Sequence, residues 1–171
     1  MDAHLVVMGV SGTGKSTVAN SLRDRLSWSF AEGDDLHPPA NLAKMAAGIP
    51  LADADRWPWL DAIAHWTRQE ASAGHSTIVT CSALRRAYRE RLRQAATGTF
   101  FVHLSGSPEL LAQRLNARSD HFMPASLLPS QLKTLEPLQD DELGIVVDVG
   151  SDIDTVVAEV IGGLALDPGD S

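Results

Sequence analysis

Cysteine is nearly absent: Cys81 is the one thiol among 171 residues. No disulfide can form within the chain and no cysteine-based zinc site can be built, which fits a reducing compartment. Long hydrophobic runs are missing too. No apolar stretch approaches the roughly 20 residues that cross a bilayer, and the opening Met1-Asp2-Ala3-His4 has neither the basic nor the apolar region of a secretory signal. The expectation is a cytoplasmic protein with no membrane partner. Basic charge is scarce, with 14 Lys and Arg against 22 Asp and Glu and a net of −8. That balance argues against non-specific nucleic-acid binding. Internal repeats, low-complexity tracts and linkers are also lacking. What remains is ordinary globular composition, 44% hydrophobic and 21% charged, in a length that suits one domain of roughly 100–200 residues.

The charge is unevenly spread. Residues 85–118 carry seven arginines against Glu90 and Glu109, whereas residues 134–171 carry ten acids and no base. An acidic chain with arginine concentrated in its middle is expected to handle a small anion there. Arg86, Arg89 and Arg93 are spaced i, i+3, i+7 and equally fit a solvated basic helix face.

Five short apolar runs alternate with helical patterns. The runs are His4–Val10, Trp28–Ala31, Ser76–Cys81, Thr99–Leu104 and Gly144–Val149. Helical spacing covers Lys15–Leu26 and about 39–47, 58–73, 84–95, 108–117, 125–134 and 152–164. Runs apolar on both faces, each followed by a helix, indicate an α/β domain whose parallel sheet carries helices on both sides. Pro58 is expected in the first turn of its helix, Ser107 as the cap before Pro108, and Asp152 as the cap of the last helix.

Gly9-Val10-Ser11-Gly12-Thr13-Gly14-Lys15-Ser16 matches G-x-x-x-x-G-K-[ST] between the first strand and the first helix. The glycines permit a compact loop whose N–H groups face phosphate oxygens, and the helix N-terminus adds partial positive charge. The expected nucleotide contacts are Gly9, Ser11, Gly12, Thr13, Gly14, Lys15, Ser16 and Thr17. Lys15 reaches the β- and γ-phosphates, and the Ser16 hydroxyl is the candidate Mg²⁺ ligand beside ATP. The loop specifies a nucleoside triphosphate without naming the reaction.

In open parallel sheets, ligands bind at the carboxyl ends of the strands. There the second run ends in Glu32-Gly33-Asp34-Asp35-Leu36-His37 and the third in Thr80-Cys81-Ser82-Ala83-Leu84-Arg85-Arg86. Asp34 is the candidate to orient or deprotonate an attacking hydroxyl, or to bind Mg²⁺ through water. His37, rigidified by Pro38-Pro39, is a candidate donor to a polar substrate. Lys44 reaches an anionic group or is simply solvated. Arg56, between Asp55 and Trp57-Pro58-Trp59, offers a planar fork to a carboxylate. Cys81 reads as buried packing. Arg114 and Arg118 share a helix face before the irregular stretch 119–130, which suits a lid covering the γ-phosphate. His121 is then a residue that orders the lid.

These residues form longer patterns. Glu32-Gly33-Asp34-Asp35-Leu36-His37-Pro38, Asn41-x2-Lys44-Met45-x2-Gly48-x-Pro50-Leu51 and Asp53-x-Asp55-Arg56-x-Pro58-Trp59-Leu60 follow the phosphate loop. Cys81-Ser82-Ala83-Leu84-Arg85-Arg86-x-Tyr88-Arg89 and Arg114-x3-Arg118-x2-His121-Phe122-Met123-Pro124 continue them, as do Leu127-Leu128-x-Ser130-Gln131 and Thr134-Leu135-Glu136. Over about residues 5–149 the chain resembles gluconokinases, in the shikimate-kinase-like group of P-loop small-molecule kinases. Pro39-Ala40 departs from a more basic pair seen in some relatives, and Leu132 stands where an aromatic is common.

The resemblance implies a single P-loop kinase domain with a five-stranded parallel sheet in the order 2-3-1-4-5. It implies a phosphate loop at 9–16, an acceptor region at about 32–60 and a mobile lid at about 114–130. It also implies transfer of phosphate from ATP to the 6-hydroxyl of D-gluconate, and it allows a homodimer. A gluconate carboxylate would be met by Arg56 and Lys44, with Arg85 or Arg86 as further candidates, and its hydroxyls by Asp34, His37, Ser82 and Gln131. Two alternatives stay open. One is a kinase for another hydroxy acid such as shikimate; the other is a nucleotide-binding switch without an acceptor, although an Asn-Lys-x-Asp base-reading motif is missing.

Overall fold

A computed structural model describes residues 2–117 and 127–167. Five strands form one all-parallel sheet: β1 His4–Met8, β2 Ser29–Glu32, β3 Thr77–Thr80, β4 Thr99–Ser105 and β5 Gly144–Asp148. Their spatial order is β2-β3-β1-β4-β5. The central strand β1 aligns Val7 with Thr80 of β3 and with Val102 of β4. Every residue of β1 is buried, as expected of a strand covered on both faces.

The strand alternation sorts side chains into two layers. Leu5, Val7, Val102 and Leu104 join Val18, Leu22 and Leu26 of α1 (Lys15–Leu26) on one side. On the other, Val6, Met8, Val79 and Phe101 pack with Leu60 and Ile63 of α3 and with Leu92 of α4. Those helices are α3 (Asp53–Ser72) and α4 (Arg86–Arg93), with the short α2 (Pro39–Ala46) preceding them. The remaining helices are α5 (Pro108–Asn116), α6 (Leu128–Thr134) and α7 (Ile153–Gly163), the last supplying Val156, Val157 and Val160 to the first layer. Each buried aliphatic side chain contributes on the order of 1.5–3 kcal/mol.

The expected caps on α5 and α7 form. Ser107 Oγ accepts the Leu110 N–H at 3.2 Å, and Asp152 Oδ1 accepts the Thr155 N–H at 2.7 Å. The start of α3 differs from the expectation. It begins at Asp53, so Pro58 stands inside the helix. Asp55 explains the early start: its Oδ2 accepts the Ala52 N–H at 2.9 Å, satisfying a donor that the helix end would leave unpaired. Pro58 cannot donate to the Ala54 carbonyl, but Ala54 is exposed, where solvent can meet that oxygen. The expected lid lies mostly over residues 118–126, which fall outside the described residues.

Candidate functional site

The phosphate loop closes where β1 meets α1. Gly12 and Gly14 have φ of 89° and 83°, the left-handed region that favours glycine. A Cβ on Gly9 would stand 2.7 Å from the Leu104 carbonyl oxygen, so the loop also needs glycine for close approach. Thr13 Oγ1 donates to the Val10 carbonyl at 2.8 Å and fixes the loop internally. Lys15 Nζ donates to the carbonyls of Gly9 at 3.0 Å and Val10 at 3.2 Å, curled over the loop it serves. Ser16 and Thr17 lie exposed at the start of α1. Arg114 donates to the Val149 carbonyl at 2.6 Å. It lines a cleft together with Gly12, Thr13, Gly14, Thr17 and Ser151. Arg118 and His121 lie outside the described residues.

A 3-10 turn, Gly33–Leu36, carries the acceptor-side carboxylate. Gly33 is compressed against β3, since a Cβ there would lie 1.9 Å from the Thr80 carbonyl oxygen. Its N–H donates to Thr80 Oγ1 at 3.1 Å, and its carbonyl accepts Trp59 Nε1 at 2.7 Å. This anchoring leaves Asp34 projecting, with 76% of its side chain exposed.

His37 is held more tightly. Its ring stacks on Trp59 with centroids 4.2 Å apart and planes 14° from parallel. Burial pushes its pKa below the ordinary 6.5, Asp34 pulls it up, and Arg56 depresses it further. The imidazole is therefore neutral at pH 7.

The candidate cations differ in their partners. Lys44 Nζ donates to both oxygens of Asp55, at 2.9 and 2.8 Å. The hydrogen bond from Lys44, aided by the Ala52 N–H, holds the Asp55 carboxyl below its usual range. Arg86 forks onto Asp141 at 2.7 and 2.5 Å and also meets Gln139. Arg85 lies 3.6 Å from Asp53. Arg56 instead donates to the phenol oxygen of Tyr88 at 2.8 Å, and that hydroxyl donates to Asp53 Oδ1 at 2.5 Å.

Gln131 and Ser82 both touch the phosphate loop. Gln131 Oε1 accepts the Ser11 N–H at 2.7 Å, bridging α6 to the loop, and Ser82 accepts the Gly9 N–H through its carbonyl at 3.2 Å. Cys81 is buried. Burial pushes its thiol up to about 12, so it offers no nucleophile at neutral pH; the charges of Asp34, Lys15 and Arg56 all act on it.

Three contributors were missed by sequence reasoning. Tyr88 supports Arg56, Asn41 holds His37, and Glu142 pairs with Arg89. Arg89 is fully buried, which corrects the picture of a solvated face for that residue. Tyr88 and Asn41 did sit inside the quoted patterns, which was the available signal. Nothing in the sequence marked Glu142.

The donor set also bears on a metal. Among the described residues no three His, Cys, Asp or Glu side chains converge to hold an ion. The exposed Ser16 hydroxyl at the loop suits a hard cation held mostly by phosphate oxygens and water, which is how Mg²⁺ is usually bound.

Comparisons with known proteins agree with this architecture. A family model described as an AAA domain matches residues 5–138. The chain is 57% identical over 157 residues to a gluconokinase of Gluconobacter oxydans (strain 621H), covering 92% of this chain and 88% of that protein. It superposes on a sugar kinase from Janibacter sp. HTCC2649 with a TM-score of 0.94 at 47% identity, covering 100% of this chain and 99% of the other. A gluconokinase from Sinorhizobium meliloti 1021 gives a TM-score of 0.85 at 46% identity, covering 95% of this chain and 91% of the other.

Proposed function

The chain belongs to the gluconokinase family, and from that premise we propose that it transfers the γ-phosphoryl group of ATP to the 6-hydroxyl of D-gluconate, giving 6-phospho-D-gluconate and ADP. The observation that carries this reading is the 57% identity to the gluconokinase of Gluconobacter oxydans over 92% of this chain. Lys15 on the phosphate loop, the exposed Asp34 after β2 and Arg56 held by Tyr88 supply the kinds of group this transfer needs.

The chemistry divides among these residues. The phosphate-loop N–H groups bind the polyphosphate, and Lys15 swings from the Gly9 and Val10 carbonyls onto the β/γ oxygens. Mg²⁺, coordinated by Ser16 and phosphate oxygens, would neutralise charge that develops during transfer. Asp34 accepts a hydrogen bond from the attacking 6-hydroxyl and takes its proton late, as suits a loose transition state. Arg56, aimed by Tyr88, receives the gluconate carboxylate as a planar fork. Arg114, which lines the cleft beside the phosphate loop, and Arg118, outside the described residues, are assigned the task of stabilising charge on the transferring phosphoryl group. We also propose a cytoplasmic location, and the family resemblance allows a homodimer.

A coupled assay for ADP release tests the reading. Gluconate should be phosphorylated, whereas shikimate, nucleoside monophosphates and sorbitol should be poor acceptors. In Asp34→Asn, kcat should fall with the ATP KM unchanged. Preferential turnover of shikimate, or ATP hydrolysis indifferent to every acceptor, would replace the proposal with one of its two alternatives.

A further inference from the structure

Asn41 lies on α2 with its side-chain nitrogen between two partners. Nδ2 is 2.8 Å from the Asp55 carbonyl oxygen and 3.2 Å from His37 Nδ1. A backbone carbonyl can only accept, so the amide nitrogen of Asn41, and not its oxygen, must face Asp55. The same nitrogen then presents its second hydrogen to His37. Nδ1 of the imidazole must therefore be the bare, accepting nitrogen. In a neutral ring the proton then resides on Nε2.

The ring cannot easily escape this arrangement. Stacking on Trp59 at 4.2 Å fixes its plane, and Trp59 is itself tied to the Gly33 carbonyl. A half-turn of the ring would put a C–H against the Asn41 N–H. Nε2 points toward the acceptor crevice, 3.9 Å from Asp34 Oδ1. That distance is beyond a hydrogen bond, and among the described residues nothing else accepts from Nε2.

We infer that Asn41 is a positioning residue that keeps the His37 proton on Nε2, making the histidine a hydrogen-bond donor to an acceptor oxygen and not a base. The only ring lone pair is occupied by Asn41. The transferring hydroxyl therefore cannot lose its proton to His37, which leaves that task to Asp34. The ligand class is an oxygen acceptor: a hydroxyl or carboxylate oxygen of a polyhydroxy acid. The kinetic part of the inference rests on the proposed function; the location of the proton does not.

Nitrogen NMR of the uniformly labelled, ligand-free protein near neutral pH reads the tautomer directly. His37→Gln identifies the signal by removing it. The wild type should show a bare Nδ1 and a protonated Nε2 at His37. Asn41→Asp replaces the donor with an acceptor and should move the proton to Nδ1, while the nearly isosteric Asn41→Leu should yield a mixture. A wild-type proton on Nδ1 would overturn the inference, as would an unchanged tautomer in Asn41→Leu. In Asn41→Asp the gluconate KM should rise about tenfold, the value of one hydrogen bond to a polar partner, with the ATP KM unchanged. A switched tautomer with an unaltered gluconate KM would refute the donor role. An enzyme that does not phosphorylate gluconate would refute the proposed function, and the resonance pattern would still decide the tautomer.

Discussion

Arg89→Met should unfold the protein far more readily than its place in an arginine-rich helix suggests. The Arg89 and Glu142 side chains are 0% and 2% exposed. Nε and Nη2 of Arg89 reach the two Glu142 oxygens at 2.6 and 3.1 Å, and Nη1 donates to the Ala83 carbonyl at 2.9 Å. Without the guanidinium, the Glu142 carboxylate would keep the Gln139 N–H at 2.8 Å as its hydrogen-bond donor and would be left buried with no direct ion-pair partner, Arg86 acting on it only at longer range. Removing one partner of such a pair costs about 3–5 kcal/mol. For a domain of this size that corresponds to roughly 6–20 °C in Tm. Ala83 adds to the effect. It holds φ at 47°, a strained conformation for a residue with a Cβ, and it adjoins Ser82, whose carbonyl meets the phosphate loop. Urea unfolding should show a lower midpoint at unchanged m. The double variant Arg89→Met/Glu142→Leu should recover most of the loss, because a well-packed apolar pair does not need the charges. A loss below about 1 kcal/mol in the single variant, typical of exposed pairs, would refute the reasoning.

Lys15→Ala should lower kcat by about 10³-fold or more, since a cation on the transferring phosphoryl group is removed; near-normal turnover would end the mechanism. Arg56→Lys should raise the gluconate KM by about 10–100-fold, the range for losing a charged hydrogen bond. An equal fractional loss with sorbitol would show that Arg56 does not read the carboxylate. Acid should weaken the fold before most carboxylates titrate. Burial lowers the pKa of His4, His37 and His103 from 6.5, so the unfolded chain takes up protons that the native state refuses. The stability this confers is complete above pH 6.5 and is lost as pH falls through that value toward the depressed native pKa values. A Tm that stays flat between pH 7 and 5 would contradict this.

The phosphate loop was legible because its chemistry is local: eight consecutive residues set both the turn and the helix that follows. The strand runs were legible because a sheet covered on both faces demands unbroken apolar segments, as β1 shows. The partners of the charged side chains were not. Lys44 meets Asp55 eleven residues away, Arg56 meets Tyr88 thirty-two away, and Arg89 meets Glu142 fifty-three away. No periodicity encodes such pairs, because they form only after the strand tips and helices are brought together. The α3 start was missed for a local reason, since Pro58 was expected in the first turn and the Ala52–Asp55 cap three residues apart was not read. Asp55 read as a neighbour of Arg56, whereas in the fold its carboxylate caps the helix and neutralises Lys44.

That redistribution of partners narrows the acceptor. Lys44, Arg85 and Arg86, three of the four cations expected to meet a substrate carboxylate, already face Asp55, Asp53 and Asp141. A second anion at Lys44 or Arg86 would compete with carboxylates already hydrogen-bonded there, whereas the half-exposed Arg85 pair is looser. Arg56 is different. Its hydrogen-bond partner is the neutral Tyr88 hydroxyl, which orients the guanidinium without cancelling its charge. Asp53 accepts from that same hydroxyl, so the phenol proton points away from Arg56 and the phenol oxygen is left to accept from it. Among the described residues no carboxylate forms an ion pair with Arg56, which suits the proposed role of receiving the single carboxylate of a sugar acid. A phosphate monoester brings up to two charges and would have to compete with Asp55 and Asp141 for further cations. On the proposed reading, the preference for a sugar acid over a phosphorylated acceptor follows from how the protein uses its own carboxylates, and the arginine count alone does not reveal it.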